Sequence, residues 1–263
     1  EQAMKATKAI VTGHSRGLGA AIAGELLERG IPVLGLARRG NAELAAQHGD
    51  RLAEVVIDLA DSTALAAWLA GGALGDWIAD TQQVLLVNNA GTLQPMGPLA
   101  LQEVDAVARA VAANVAAPLM LAAAFAQVGA ATGSGATGKE AAGQVRDRRV
   151  LHISSGAARK PYAGWSVYCA TKAALDHHAR AVQEDATPGL RICALAPGVV
   201  DTPMQGEIRA STLERFPLRD RFAEMQASGG LIAPAECAMH LVDFLLDEDF
   251  GREPVADLRE LMG

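Results

Sequence analysis

KAIVTGHSRGLG, residues 8–19, is the stretch on which the fold turns. KAIVT is a short apolar run with the character of a buried strand. It breaks at Gly13, and a helical pattern runs from about residue 18 to 29. Glycines at 13, 17 and 19 allow a tight turn and close approach of the backbone to a diphosphate. The helix start offers amide donors that have no partner within the helix. The spacing is TGxxxGxG and not the GxGxxG of the dinucleotide fingerprint. The flanking strand and helix are therefore what make this a nucleotide site. Ser15, Arg16 and Leu18 share the turn and are expected to touch the cofactor.

Outward from this unit the same alternation repeats. Further strands are expected at 31–37, 51–59, 84–88, 149–154 and 190–195, with a last one near Val255. Helices are expected at 41–48, 62–74, 101–128 with a bend near Pro118, from the Tyr168 region to about 185, and at 207–215, 219–227 and 235–246. Apolar strands alternating with amphipathic helices indicate a three-layer α/β fold, a doubly wound parallel sheet covered on both faces. The 263 residues are 50% hydrophobic, enough for one large core, and no linker or repeat divides them. One domain over 1–263 is expected. The glycine- and alanine-rich segment 129–143 reads as a mobile surface loop.

The net charge of −7 argues against a nucleic-acid partner, which calls for clustered positive charge. Cys169, Cys193 and Cys237 have neither metal-ligand nor disulfide spacing, which suits a reducing, cytoplasmic setting. The longest apolar stretch, 111–126, contains Asn114 and Pro118 and is read as too short for a membrane span. No leader pattern is seen; Met4 is expected to be the natural first residue and 1–3 an added remnant.

Four features lie at the carboxyl ends of strands, the edge where open parallel sheets bind ligands. After the second strand an acidic residue would hold the ribose hydroxyls of NAD(H); here stand Ala37, Arg38 and Arg39. With Arg16 they favour the 2′-phosphate of NADP(H). Asp58, followed by Leu59, is placed to receive the adenine amino group or to cap the next helix. NNAG, with Asn89, Ala90 and Gly91, suits close cofactor packing at the fourth strand. Pro197, Gly198, Val200 and Thr202 follow the sixth strand and suit a clamp on the nicotinamide carboxamide.

Residues 154–172, SSGAARKPYAGWSVYCATK, carry the chemistry. Tyr168 and Lys172, four apart on a helix, share a face. A nearby ammonium favours the phenolate, which brings a tyrosine within range of acid–base work. Ser155 or Ser154 is able to donate to the same substrate oxygen. No histidine cluster offers a metal site.

Taken together, TGxxxGxG, NNAG, Asn114, the serine pair, YxxxK and the PG segment resemble the short-chain dehydrogenase/reductase family over essentially the whole chain. The resemblance implies Tyr168 as proton donor, Ser155 thirteen residues before it as its partner, Lys172 on the nicotinamide ribose and Asn114 supporting a water relay. Within the family, GWSVYCATKAALD (164–176) and APGVVDTPMQ (196–205) are similar to sepiapterin reductases, and the outline also fits benzil and diketone reductases. That likeness implies NADPH-dependent reduction of a small ketone or dicarbonyl, and a pterin anchor at Asp257. Benzil or diketone reduction, oxidation of a hydroxy compound, and non-catalytic nucleotide sensing are the alternatives. Trp165 and Met204 are expected to wall the substrate pocket, as is Leu93; Phe216 is assigned to the core. Residues 201–230 are expected to form a lid. Alanine-rich helices at 101–128 and 165–185 imply a homodimer or homotetramer, as is usual in the family.

Overall fold

The computed structural model describes residues 6–79, 81–128 and 147–262. Segment 129–143 and Met4 lie outside the described residues. Seven parallel strands, β1 (Thr7–Thr12), β2 (Val33–Ala37), β3 (Leu52–Val56), β4 (Gln83–Asn88), β5 (Asp147–Ile153), β6 (Leu190–Ala196) and β7 (Val255–Asp257), form one sheet. Their order is β3-β2-β1-β4-β5-β6-β7. Chain direction across the sheet reverses between β1 and β4, which leaves a crevice at their carboxyl ends.

Side chains alternate across each strand, so each strand serves two cores. Ala9 and Val11 join Leu85, Val87, Ile22, Leu26 and Leu241 on one face. Ile10 joins Val84, Leu86, Leu65, Leu121 and Phe125 on the other. The first face is covered by α1 (Gly17–Glu28) and α10 (Pro234–Leu246). The second is covered by α3 (Ser62–Ala70), α4 (Ala73–Ile78), α6 (Ala117–Gln127) and α7 (Ser166–Glu184). The short α2 (Ala42–His48) follows β2, and α5 (Val104–Val111) leads into α6.

Several element bounds differ from expectation. The helix expected over 62–74 divides at Gly71 and Gly72, the latter at φ +82°, into α3 and α4. β3 stops at Val56, and Asp58 stands in the turn beyond it. The long helix is interrupted by a π turn, Ala112–Ala116, ahead of Pro118, the site of the expected bend. Such a turn skips the backbone bond that Pro118 is unable to donate. The helix expected at 207–215 is α8 (Pro203–Ala210), started by Pro203 in its first turn. Together α5, the π turn and α6 run 24 residues, Val104–Gln127, long and apolar enough by length and composition to cross a bilayer. The stretch is thus longer than the sequence reading allowed, but Ala117, Leu121, Ala122 and Phe125 are committed to the core.

A buried polar chain crosses the sheet. Asn88 Nδ2 lies 3.2 Å from His152 Nδ1, and His152 Nε2 lies 3.0 Å from His178 Nδ1 on α7. Burial first, then the neighbouring His178 and Lys172, push the His152 pKa down to about 3. Because this folded value is below the unfolded 6.5, the unfolded chain takes up the proton first and stability falls with pH. This residue should contribute a loss of about 1.4 kcal/mol per pH unit between its two pKa values. Chemical denaturation from pH 7 to pH 4 should show a shallower stability loss in His152→Gln; an unchanged slope would reject the assignment.

Candidate active site

The glycine turn is built from close contacts. Gly13 adopts φ +73°, and a Cβ on Gly19 would lie 2.1 Å from the Gly13 carbonyl oxygen. The turn is fastened to β4: Thr12 Oγ1 accepts from the amides of Asn89 and Ala90, both at 3.0 Å, and Asn89 Nδ2 donates to the Thr12 carbonyl at 3.1 Å. No side chain caps the start of α1. Its first amides and these glycines therefore fit the diphosphate of a dinucleotide.

The cleft at this edge encloses about 950 Å³. Its lining includes Gly13, Ser15, Arg16, Gly17, Leu18 and Gly19 of the turn. Arg38, Arg39, Asp58 and Leu59 line one end, and Asn89, Ala90 and Gly91 the floor. Pro197, Gly198, Val200 and Thr202 line the opposite side. Arg38 and Arg39 are exposed there, and Arg16 lies 3.7 Å from Glu207. Asp58 accepts from the Ala60 amide at 3.0 Å and from Arg109 at 2.9 Å. These bonds hold its carboxyl below the usual range. The cap of α3 is Asp61, not Asp58: Asp61 Oδ1 accepts from Thr63 and Ala64.

At the inner end α7 presents Tyr168 and Lys172, both on the cleft, with Ser155 opposite. Ser155 precedes a single 3₁₀ turn, Gly156–Ala158, and its Oγ accepts from the Ala157 amide at 3.1 Å. Lys172 Nζ donates to the Ile153 carbonyl at 2.7 Å and stands 5.7 Å from the Tyr168 ring centre. Burial pushes the Tyr168 phenol up to about 12, while the hydrogen bond with Ser155 opposes it. Burial lowers Lys172 to about 8, against the pull of Asp176. Burial is the largest cause of the Tyr168 shift, and Lys172 Nζ keeps donors beyond the one it gives to the Ile153 carbonyl. The phenol consequently holds its proton at neutral pH.

Asn114 is fully buried in the π turn and is not in the lining. It accepts from the Thr92 amide at 2.8 Å and donates to the Thr92 carbonyl at 2.9 Å and to Thr171 Oγ1 at 3.1 Å. It thereby ties the Gly91–Thr92 backbone to α7 one residue before Lys172.

Trp165, Met204 and Leu93 line the substrate end. The Trp165 indole stacks on Phe216 at 4.6 Å and 15°, and meets the Tyr168 ring edge-on at 5.2 Å. Phe216 is fully buried behind it and is absent from the lining. Asp257, expected to anchor a ligand, is also absent from the lining. Its Oδ1 accepts from the Arg259 amide at 3.1 Å and Nε at 2.9 Å, and its Oδ2 from Arg259 Nη2 at 2.6 Å. Both oxygens are satisfied internally, and it is Arg259 that reaches the cleft. Arg109, Tyr162, Gln205, Phe222 and Arg259 line the cleft without any signal in the sequence pattern. They converge from α5, the loop before α7, α8, α9 (Arg219–Ala227) and α11 (Leu258–Leu261), which no local spacing connects.

Comparison with known proteins agrees with this architecture. A family model described as short chain dehydrogenase matches residues 7–213. A benzil reductase ((S)-benzoin forming) from Bacillus cereus is 34% identical over 257 residues, 95% of this chain and 98% of the relative. Sepiapterin reductase from Meriones unguiculatus is 30% identical, covering 92% of each chain. A crystal structure of a short-chain dehydrogenase/reductase from Burkholderia vietnamiensis is 50% identical, with a TM-score of 0.68, covering 98% of this chain and 100% of that one. With the glycine cradle, the arginine-lined end and the Ser155–Tyr168–Lys172 face in one cleft, the chain belongs to the short-chain dehydrogenase family and is an NAD(P)(H)-dependent oxidoreductase.

Proposed function

We propose that this protein reduces aryl 1,2-diketones of the benzil type to the α-hydroxy ketone. The observation that carries this reading is the aromatic substrate end. Tyr162, Trp165, Tyr168 and Phe222 line it, while Asp257 is absent from the lining and is paired with Arg259. Flat apolar walls suit aryl groups, and ring pairs of this kind gain about 0.5–1.5 kcal/mol beyond burial. A pterin's amino groups would meet at Asp257 a carboxylate already paired with Arg259 and off the cleft lining. Similarity to benzil reductases at 34% and 31% identity supports the same order of preference over the pterin reading first suggested by sequence motifs. The similarity to sepiapterin reductases at 30% keeps pterin reduction as the second reading.

In this reading a nicotinamide dinucleotide held by the glycine turn would supply hydride to the carbonyl carbon. Ser155 and Tyr168 donate hydrogen bonds to the carbonyl oxygen as negative charge develops there. Tyr168 then delivers its proton to that oxygen. Lys172 would hold the cofactor ribose, and its ammonium would offset the charge of the phenolate until a proton from solvent restores the phenol. Asn114 holds the Thr92 backbone and α7 in register around this centre. Helices α8 and α9 serve as the lid, anchored by Phe216 and Phe222. The same proposal includes a homo-oligomer through α5–α6 and α7, which would cover the exposed Val104 and Val111.

Steady-state assays with NADPH or NADH against benzil, aliphatic diketones, sepiapterin and simple aldehydes test the assignment, with product chirality read by chiral chromatography. Benzil with NADPH should exceed sepiapterin in kcat/KM by about tenfold or more, a difference of ~1.4 kcal/mol in barrier. Turnover of sepiapterin with none of benzil would transfer the assignment to the pterin.

A further inference from the structure

Beside the adenosine end, a buried histidine makes contacts outside the reaction centre. His14 belongs to the glycine turn, two residues before Arg16, and is wholly buried. Its imidazole lies on Gly35 of β2, where a Cβ would come within 2.4 Å of the ring. The glycine inside strand VLGLA is therefore the space the ring occupies. Across Gly35, in register with it on β3, stands Glu54. Its Oε1 lies 2.7 Å from His14 Nε2, so the hydrogen sits on that nitrogen and is donated to the carboxylate. The same oxygen accepts the Asn41 backbone amide at 2.6 Å. Asn41 Nδ2 in turn donates to the His14 carbonyl at 3.1 Å, and Asn41 Oδ1 caps α2 through the Leu44 amide. Oε2 of Glu54 would lie 3.0 Å from a Cβ on Gly40, so the carboxylate packs directly against that backbone.

These bonds close a ring between the glycine turn and the loop after β2. Arg38 and Arg39 lie in that loop, between the end of β2 at Ala37 and the pinned Gly40–Asn41. Arg16 follows His14 on the other side. Exposed arginines have large rotamer freedom, and a mobile backbone beneath them would dilute any phosphate contact. We propose that His14, Glu54 and Asn41 are positioning residues that hold the Arg38–Arg39 loop against the glycine turn, and so set the preference for a 2′-phosphorylated dinucleotide over an unphosphorylated one. The proposal rests on the arginines meeting the 2′-phosphate, and on no choice of carbonyl substrate.

The test measures dissociation constants of NADP⁺ and NAD⁺ for the intact protein by isothermal titration calorimetry, with melting curves for each variant. Glu54→Leu should weaken NADP⁺ by about tenfold, the worth of a charge-assisted hydrogen bond, while NAD⁺ shifts by less than about twofold. Glu54→Gln should retain the preference, because a single oxygen accepts both bonds and the amide keeps it. His14→Phe fills the space over Gly35 without a donor and should reproduce the loss; it also serves if Glu54→Leu does not fold. A preference that survives both Glu54→Leu and His14→Phe overturns the inference. So does an equal weakening of both dinucleotides, which would mark a purely structural role. A Glu54→Gln loss as large as that of Glu54→Leu overturns the hydrogen-bond account. Equal affinities in the unmodified protein would overturn the 2′-phosphate reading and the inference with it. Arg38→Ala separates the two: if it abolishes the preference while the His14 and Glu54 variants keep it, only the inference fails.

Discussion

Tyr168→Phe lowers kcat by about 10³-fold and leaves NADPH affinity within about twofold, since general-acid catalysis is worth 10²–10⁴. The substitution removes one hydroxyl and keeps the ring. The ring is buried, and its edge-to-face contact with Trp165 at 5.2 Å needs no oxygen. What disappears is the proton that burial keeps on the phenol, with its pKa near 12. Ser155 and Lys172 remain, but neither replaces it. Ser155 is a far weaker acid, and Lys172 Nζ points to the Ile153 carbonyl. Single-turnover absorbance of NADPH gives the rate, and fluorescence titration gives the affinity. Turnover within tenfold of the unmodified protein would remove Tyr168 from the mechanism.

The second large effect is at the other end of the cleft. Gly19→Ala should abolish measurable NADPH binding, and with it all activity. Its Cβ would meet the Gly13 carbonyl oxygen at 2.1 Å and Asn89 Nδ2 at 2.4 Å. Neither neighbour yields cheaply. Gly13 is in the left-handed region, and Asn89 Nδ2 holds the Thr12 carbonyl. Relief requires the turn to lift from β4, which displaces the very amides offered to the diphosphate. Overpacking of this kind costs about 1–3 kcal/mol in stability, so the variant should fold with a lowered Tm. Calorimetry showing NADPH bound at unaltered affinity would contradict the close-packed turn.

The two ends differ in how far local sequence reveals them. TGHSRGLG is legible because one strand, one turn and one helix are contiguous, and glycine is demanded by backbone approach alone. Tyr168 and Lys172 are legible because helical geometry fixes the side on which residues four apart emerge. Asn114 was recognisable only through the family resemblance; its work depends on a π turn that opens where Pro118 cannot donate. Asp257 shows the opposite case. Its place in the chain suggested a ligand-binding carboxylate, but Arg259, two residues on, folds back and takes both oxygens. Such a pairing depends on side-chain direction at the end of β7, which position in sequence does not specify.

By itself the sequence determined the alternation of strands and helices, the parallel sheet, the nucleotide turn and the shared face of Tyr168 and Lys172. These follow from period, spacing and backbone sterics, all of them local, whereas the choice of Ser155 over Ser154 came from the family resemblance. Only the tertiary structure decided the addition of Tyr162 and Phe222 to the wall at Trp165, the pairing of Asp257 with Arg259, and the seat of His14 on Gly35. The first and last depend on side chains distant in sequence occupying the same desolvated space, where burial and hydrogen-bond satisfaction set which groups remain free for a ligand.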